Sequence, residues 1–224
     1  MKRITNYSKL HSILGDEINS GGLILVYGEA GTGKTAIAIQ LSVSFALERY
    51  KVLYLTTEHP FAAERIADMI GDEIKNVGER IYVIKLRNFR QQLELIDKLE
   101  MFITPKLRFI VIDTITDNYR EIIAEGADVV KVNMMLNRQL ATLLYIAKTK
   151  KVAIMITGQM RGALEDERDE IVASKVMKYW PDRIVRLEKI GGRRIATIEK
   201  SKNKEEIDRK IFFKITERGI VDEY

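Results

Sequence analysis

Cysteine is absent from the 224 residues of this chain, which excludes disulfides and thiolate metal sites. No apolar run approaches the ~18 residues of a membrane span, and the start MKRITNYSKLHSIL lacks the apolar core of a signal peptide. We therefore expect a cytoplasmic protein without a membrane segment. Proline is scarce, at three residues, and neither a linker nor a low-complexity tract is visible. We predict a single domain over residues 1–224, a length that suits one α/β core.

The net charge of +5 is unevenly distributed. Between Arg183 and Lys214 the chain has eleven Lys or Arg residues against five Asp or Glu residues, so this segment alone accounts for the whole positive excess. Two interpretations stay open for it. It is either a solvated, salt-bridged surface or a surface that contacts a phosphate backbone.

The eight residues GEAGTGKT follow the apolar run LILVY and match G-x-x-x-x-G-K-[ST] at every position. Glycines in this pattern let successive backbone amides point at phosphate oxygens, and the next helix directs its N-terminal dipole at the same anion. We expect the lysine to face solvent before nucleotide binds and then to reach the β- and γ-phosphates, while the final hydroxyl suits Mg²⁺. The predicted nucleotide-binding residues are Gly28, Glu29, Ala30, Gly31, Thr32, Gly33, Lys34 and Thr35.

Short apolar segments alternate with helical segments along most of the chain. The predicted strands are LILVY (23–27), KVLYLT (51–56), IYVI (81–84), RFIVID (108–113) and VAIMIT (152–157). Their apolar, β-branched composition predicts burial on both faces, and the clearest helix spans 129–149. After residue 182 a hairpin around Gly191 and Gly192 and a further strand pair are predicted. The expected fold is α/β, with a largely parallel central sheet flanked by helices and with C-terminal antiparallel strands.

Polar residues at the predicted strand ends indicate the chemistry. Asp113 ends an apolar strand and could hold the Mg²⁺ shell opposite Thr35, through a water. Thr114 follows it instead of a glutamate, so the best candidate to orient a water for attack on the γ-phosphate is Glu58, at the end of the strand after the P-loop helix. Gln159, just past VAIMIT, could sense the γ-phosphate or be a loop amide. An N-K-x-D guanine motif is missing, which favours ATP over GTP.

In this order the features resemble the core of the RecA/RadA recombinases. TTEHPFAAERI looks like that family's D-T-E-G-x-F-x-P-E-R-[IL] segment, and VIDTITDNYRE looks like its Walker B strand and the start of its first DNA-binding loop. LNRQLATLLYIAKTKKVAIMITGQ looks like the helix and strand that lead to its sensor glutamine, and FKITERGIVD is similar to its C-terminus. The resemblance covers nearly the whole chain. It is closest to the short archaeal RadA paralogues of RadB type, which lack the helix–hairpin–helix domain of full recombinases.

The resemblance implies ATP and Mg²⁺ as cofactors and assigns roles to single residues. It makes Asp113 Mg²⁺-linked, Glu58 and Lys34 catalytic, and Gln159 the sensor. Arg65 matches an arginine that lies near the adenine in the family, with an ordinary surface charge as the alternative.

The same resemblance concerns the basic C-terminal segment. Lys200 and Lys202 match either paired lysines that reach a neighbour's γ-phosphate in some relatives or a short basic DNA-binding cluster of RadB-type proteins; a solvated strand edge is a third interpretation. Arg193 and Arg194 are further candidates for DNA contact. His59 replaces the family's glycine beside the catalytic glutamate, which could alter hydrolysis; the alternative is a side chain that merely faces solvent.

Two departures from the family pattern concern strand exchange. The run Glu165–Glu170, where recombinases place the second DNA-binding loop, has five acidic residues and one basic residue, which would repel a phosphate backbone. A Phe-x-x-Ala polymerisation tetrapeptide is also missing, since FAAE at 61–64 lacks the final alanine. We expect no strand exchange by this chain alone, and we expect the acidic run to dock a basic partner such as the main recombinase or another paralogue.

Three functions compete at this stage. The leading hypothesis is an ATP-binding, slowly hydrolysing recombinase paralogue that binds single-stranded DNA and modulates homologous recombination and DNA repair. The alternative is a KaiC-like ring or signalling ATPase, a homo-oligomer with no obligatory DNA role. A small-molecule kinase is the weakest hypothesis, because no Arg-rich lid segment is visible.

Overall fold

The computed structural model describes residues 13–57, 66, 74–160, 171–217 and 219–223. The strands are β1 (Leu23–Gly28), β2 (Lys51–Thr56), β3 (Ile81–Lys85), β4 (Leu107–Asp113), β5 (Ala153–Gln159), β6 (Arg183–Ile190), β7 (Arg193–Lys200), β8 (Lys210–Thr216) and β9 (Gly219–Asp222). The helices are α1 (Glu17–Ser20), α2 (Lys34–Leu47), α3 (Ile74–Gly78), α4 (Phe89–Asp97), α5 (Asp117–Ala124), α6 (Val129–Lys150) and α7 (Ser174–Tyr179). In this part of the chain no helix is long and apolar enough to cross a membrane.

The described strands form one sheet in the order β3-β2-β4-β5-β1-β6-β7-β8-β9. The strands from β3 to β6 in this order are parallel, and β7, β8 and β9 continue the sheet in antiparallel pairing. The predicted fold class is therefore confirmed, including the C-terminal antiparallel strands and the hairpin turn at Gly191 and Gly192. Because β2, β4, β5 and β1 are parallel neighbours, their carboxyl ends lie along one edge of the sheet.

Two apolar layers cover the sheet. Along β1, Leu23, Leu25 and Tyr27 belong to the core under α4 and α6, whereas Ile24 and Val26 belong to the core under α2. Side chains of a strand alternate between the two faces, so a strand covered on both faces is apolar at every position. This explains why the central strands show as continuous apolar runs in the sequence.

Helix α6 confirms the strongest helical prediction. Its side chains at three- and four-residue spacing are buried against the sheet, namely Val132, Leu136, Leu140, Leu143 and Ala147. The helix begins after Asp128, whose carboxylate accepts hydrogen bonds from the backbone amides of Val130 and Lys131 and so satisfies two amides of the first turn.

Two strands differ from the prediction. Strand β3 is not buried on both faces, because it lies at the edge of the sheet with Tyr82 and Val83 exposed. Strand β5 does not end at Thr157 but continues to Gln159. Gly158 makes this extension hard to predict, since glycine disfavours a strand. A Cβ at this position would lie 2.6 Å from Ile171 Cδ1, so a larger residue would require the isoleucine side chain to move.

A buried arginine connects the beginning of the described chain to its C-terminal strands. The guanidinium of Arg183 donates from Nε to Glu17 Oε2 at 3.0 Å and from Nη1 to the Ile13 carbonyl at 2.9 Å. Its Nη2 group contacts Ser201 and the carboxylate of Glu206. Burial alone would raise the pKa of the Glu206 carboxyl, but hydrogen bonds from Ser201 and Arg183 hold that pKa below its usual value. This contribution to stability is present above the usual glutamate pKa and is lost as the pH falls through the lowered one.

Replacing Arg183 with methionine is expected to lower the free energy of unfolding by about 3–5 kcal/mol, because the change leaves the carboxylate of Glu17 buried without its partner. Urea denaturation measures this difference. The matched control is Arg90→Met, since Arg90 is 88% exposed in its ion pair with Glu94 and should contribute no more than about 0.5 kcal/mol. Equal stability of the Arg183→Met and wild-type proteins would show that the buried cluster has no net stabilising effect.

Candidate nucleotide site

The strand order brings the predicted site residues to one edge of the sheet. Strand β1 ends at the P-loop, its neighbour β5 ends at Gln159, and the next strand, β4, ends at Asp113. Gly28 is the direct register partner of Gln159, so the P-loop begins beside the predicted sensor. Ligands of open parallel sheets bind at this carboxyl edge. Three predicted elements, far apart in the sequence, therefore face one crevice.

Two glycines of the P-loop are required by their surroundings. A Cβ on Gly28 would lie 2.2 Å from the Leu187 carbonyl oxygen of β6, so no larger residue fits there. Gly33 has a φ of +114°, and a Cβ on it would lie 2.8 Å from Ile215 Cδ1 of β8. The loop therefore approaches β6 and β8 closely, and α2 begins within it at Lys34, so the N-terminus of α2 lies at the end of β1.

The lysine of the P-loop does not face solvent, which corrects the expectation from the sequence. Lys34 is 7% exposed, and its Nζ donates to the carbonyl oxygens of Gly28 and Glu29 at 2.9 and 2.7 Å. The loop curls around the ammonium group because two backbone carbonyls can replace part of its hydration. The Thr35 side chain, in contrast, is exposed at the first turn of α2.

Asp113 is buried between two hydroxyl donors. The Tyr54 hydroxyl donates to its Oδ2 atom at 2.7 Å, and the Thr157 hydroxyl donates to Oδ1 at 2.5 Å. Tyr54 lies on β2 and Thr157 on β5, the strands on either side of β4. Partners of this kind fix the orientation of a carboxylate that acts on a metal shell.

The oxygen donors at this edge fit Mg²⁺ bound together with phosphates. The carboxylate of Asp113 and the hydroxyl of Thr35 are hard ligands, and Mg²⁺ commonly takes one or two protein oxygens and completes its shell with water and phosphate. Among the described residues no group of three or more acidic or histidine side chains could hold a metal by itself. The Asp113 carboxylate and the Thr35 hydroxyl are the oxygens that would hold a metal bound together with the nucleotide.

Gln159 is held at both its backbone and its side chain. Its amide nitrogen donates to Thr116 Oγ1 at 3.1 Å, and its Oε1 atom accepts from Arg120 Nη1 at 2.9 Å. It is therefore an ordered strand-end residue and not a loose loop amide. Sequence reasoning missed both partners, and it also missed Tyr54 and Thr157. The one signal available was the tyrosine in a buried strand, since a buried hydroxyl requires a partner.

Several predicted residues lie outside the described residues. These are the catalytic candidate Glu58, its neighbour His59, the adenine candidate Arg65 and the acidic run Glu165–Glu170. Thr57, which precedes Glu58 in the sequence, is described, and its backbone amide donates to the Asp113 carbonyl at 3.0 Å. The roles of Glu58, His59, Arg65 and the acidic run remain predictions.

The four basic candidates lie at opposite ends of the central strands, two at the carboxyl ends and two at the amino ends. Leu187 of β6 pairs with Gly28, the first residue of the P-loop. Three residues further along β6, Ile190 pairs with Arg193 at the tip of the β6–β7 hairpin. This tip therefore projects at the nucleotide edge. Lys200 pairs with Ile184, next to the start of β6. The pair Lys200 and Lys202 is therefore far from the chain's own P-loop, whereas Arg193 and Arg194 are on its side.

Comparison with known proteins agrees with this geometry. The Rad51 family matches residues 1–223. The DNA repair and recombination protein RadB of Methanocaldococcus jannaschii is 36% identical, over 94% of this chain and 98% of that protein. The protein of the same name from Thermococcus gammatolerans is 32% identical, over 97% of each chain.

A solved structure is similar over the same extent. The crystal structure of the RadB recombinase superposes with a TM-score of 0.79 at 30% identity and covers 97% of both chains. The similarity in sequence and in fold therefore extends over nearly the whole chain. The chain belongs to the Rad51 family of RecA-like ATPases and is of RadB type.

Proposed function

We propose that the chain is an ATP-binding, slowly hydrolysing recombinase paralogue that binds single-stranded DNA and modulates homologous recombination and DNA repair. The observation that carries the proposal is the convergence of the P-loop, Asp113 and Gln159 on one edge of adjacent parallel strands. Relatives named for DNA repair and recombination that cover nearly the whole chain support it. We propose further that residues 1–224 work as a single domain in the cytoplasm, with the main recombinase or another paralogue as partner.

The residues at this edge would divide the work of hydrolysis. Lys34 would exchange its two carbonyl partners for oxygens of the β- and γ-phosphates, so the buried ammonium would stay paired throughout. Thr35 and, through a water, Asp113 would hold Mg²⁺, which neutralises phosphate charge when bound. Gln159 would meet the γ-phosphate through its amide group. Glu58 would orient the attacking water.

DNA contact would rely on cations with weak partners. Arg193 is 64% exposed and lies 3.6 Å from Glu223, and Lys202 is 62% exposed and lies 3.6 Å from Asp182. Both carboxylates are largely buried and have a closer cation each, Lys214 at 2.8 Å from Glu223 and Lys148 at 2.7 Å from Asp182, so the longer pairs of Arg193 and Lys202 can be exchanged for phosphate. Lys200 is less accessible, because its Nζ donates to the Tyr179 carbonyl at 2.8 Å and burial lowers its pKa.

A second candidate function is a KaiC-like ring or signalling ATPase. One observation favours it: Lys200 and Lys202 lie at the edge opposite the chain's own P-loop. Lysines in this place could reach a γ-phosphate only in a neighbouring copy. A nucleotide-dependent hexamer without DNA affinity would support this function.

ATP turnover with and without single-stranded DNA, across a salt series, tests the proposal. We expect DNA to raise turnover and DNA affinity to fall steeply with salt, because phosphate contacts release counterions. Replacing Arg193 and Arg194 with alanine, or Lys202 with alanine, should reduce the salt slope by roughly one for each lost contact. The matched control is Lys98→Ala, an exposed lysine after α4. A wild-type protein without DNA affinity at low salt would contradict the DNA part of the proposal and leave the ring ATPase.

A further inference from the structure

Helix α5 begins four residues after Asp113, and its first turn lies between the ends of β2 and β5. On the β2 side, the Thr57 hydroxyl donates to Asp117 Oδ2 at 3.0 Å. The same Thr57 oxygen accepts the backbone amide of Thr114 at 3.2 Å, and Thr114 Oγ1 accepts the amide of Asp117 at 3.1 Å. Three hydrogen bonds thus close a ring between the residue that follows β2 and the start of α5.

On the β5 side, the same turn holds Gln159. The bond from the Gln159 amide to Thr116 Oγ1 fixes its backbone, and the bond from Arg120 to its Oε1 fixes its side chain. An amide whose oxygen is taken by a guanidinium has its NH₂ group left to donate. A phosphate oxygen accepts hydrogen bonds and does not donate them, so Arg120 selects the orientation of Gln159 that can meet a γ-phosphate.

Asp117 and Arg120 are three residues apart and therefore lie on neighbouring positions of one helix face. One residue contacts the end of β2 and the other the end of β5, the two strands that flank β4. The peptide hydrogen bonds of α5 make the turn between them stiff. A displacement of this turn would move both strand ends together.

We propose that Asp117 and Arg120 are positioning residues. Through them, the first turn of α5 fixes the relative positions of the carboxyl ends of β2 and β5 for hydrolysis of the γ-phosphate. The proposal rests on the proposed ATPase function. Asp117 acts through Thr57 and Arg120 acts through Gln159, and neither is proposed to touch ATP. Misplacement of a reacting group by about 1 Å can cost roughly 100-fold in rate, so hydrolysis should depend on this turn more than binding does.

The test compares kcat with the Mg·ATP dissociation constant in Asp117→Ala, Asp117→Asn, Arg120→Ala and Arg120→Lys. We expect both alanine variants to lose about tenfold or more in kcat. The Mg·ATP dissociation constant should change less than about twofold in Asp117→Ala and should rise about threefold to tenfold in Arg120→Ala, where Gln159 loses the bond that orients it toward the γ-phosphate. Asp117→Asn still accepts from the Thr57 hydroxyl and should retain more turnover than Asp117→Ala; Arg120→Lys, which still donates, should likewise exceed Arg120→Ala. Glu121→Ala, at an exposed position of the same helix, is the control.

Melting temperatures and a second binding measurement separate positioning from damage to the fold. The ratio of the ADP dissociation constant to that of a non-hydrolysable ATP analogue reports contact with the γ-phosphate and needs no turnover. We expect Arg120→Ala to lower this ratio about threefold to tenfold, the scale of one hydrogen bond. Unchanged kcat in both alanine variants, or asparagine no better than alanine, would overturn the inference. A wild-type protein without turnover would instead refute the proposed ATPase function. In that case the binding measurement still tests the positioning role, which an unchanged ratio of the two dissociation constants in Arg120→Ala would overturn.

Discussion

Replacing Lys34 with alanine is expected to abolish ATP turnover and to weaken Mg·ATP binding about 10- to 100-fold. The ammonium lies within the P-loop at 2.9 and 2.7 Å from the Gly28 and Glu29 carbonyl oxygens, at the place where the loop would surround phosphates. Charge-assisted hydrogen bonds contribute roughly 1.5–3 kcal/mol each, which corresponds to this range of affinity. Turnover by phosphate release and binding by calorimetry measure the two effects.

Because Lys34 is buried, its replacement should affect stability as well as turnover, and the controls must separate the two effects. Because the side chain is 7% exposed and bonded to two carbonyls, its removal leaves those acceptors to water and should lower the melting temperature by a few degrees without unfolding the protein. Lys131→Ala, at an exposed position of α6, should change neither turnover nor stability. A folded Lys34→Ala protein that hydrolyses ATP like the wild type would show that GEAGTGKT does not bind the phosphates.

The sequence predicts those parts of the fold that depend on local composition. KVLYLT was predicted as a strand over 51–56 and forms β2 over the same residues, because buried parallel strands are apolar at every position. The same pattern cannot separate a central strand from an edge strand, so IYVI was predicted as buried although Tyr82 and Val83 are exposed in β3. Position in the sheet depends on the chain's crossovers, which no single segment encodes.

The candidate site likewise has residues that the sequence predicts and residues that it does not. Residues of the P-loop and Asp113 are visible in the sequence, because phosphate binding demands glycine and lysine at fixed spacing. The residues that orient them are not visible, since Tyr54 and Thr157 lie 59 and 44 positions from Asp113 and meet it only across the sheet. Threonine and tyrosine are ordinary strand residues, so their local sequence does not show that Asp113 is the partner of either hydroxyl.

Replacing Glu58 with glutamine is expected to keep Mg·ATP affinity and to lower turnover by on the order of 100-fold or more. Glutamine has the size of glutamate but lacks the negative charge that orients and polarises a water, and a positioned acid–base group contributes on this scale. Strand order supports the choice of residue: β2 is the direct neighbour of β4, and Thr56 pairs with Asp113. Glu58 follows two residues later in the sequence.

Single-turnover hydrolysis with excess protein measures the rate, and equilibrium binding of Mg·ATP measures the affinity. Glu79→Gln is the matched control, because Glu79 is an exposed glutamate after α3, and it precedes β3 at the opposite edge of the sheet. An unaffected rate in Glu58→Gln would assign the water-orienting role to another group. A loss of rate with an equal loss of affinity would show that Glu58 holds the nucleotide and does not act on the water.

Together the two variants test whether the protein needs ATP hydrolysis, or only ATP binding, to act on its partner. Lys34→Ala should resemble the nucleotide-free protein at ATP concentrations below its weakened dissociation constant, whereas Glu58→Gln should remain in its ATP-bound form because it binds and does not hydrolyse. If the nucleotide reports a state to a partner, Glu58→Gln with ATP should act on the full-length recombinase at least as strongly as the wild type does, and Lys34→Ala should not act. If turnover itself is needed, both variants should be inactive in the same assay. Inactivity of Glu58→Gln would therefore contradict the signalling role even where its ATP affinity is unchanged.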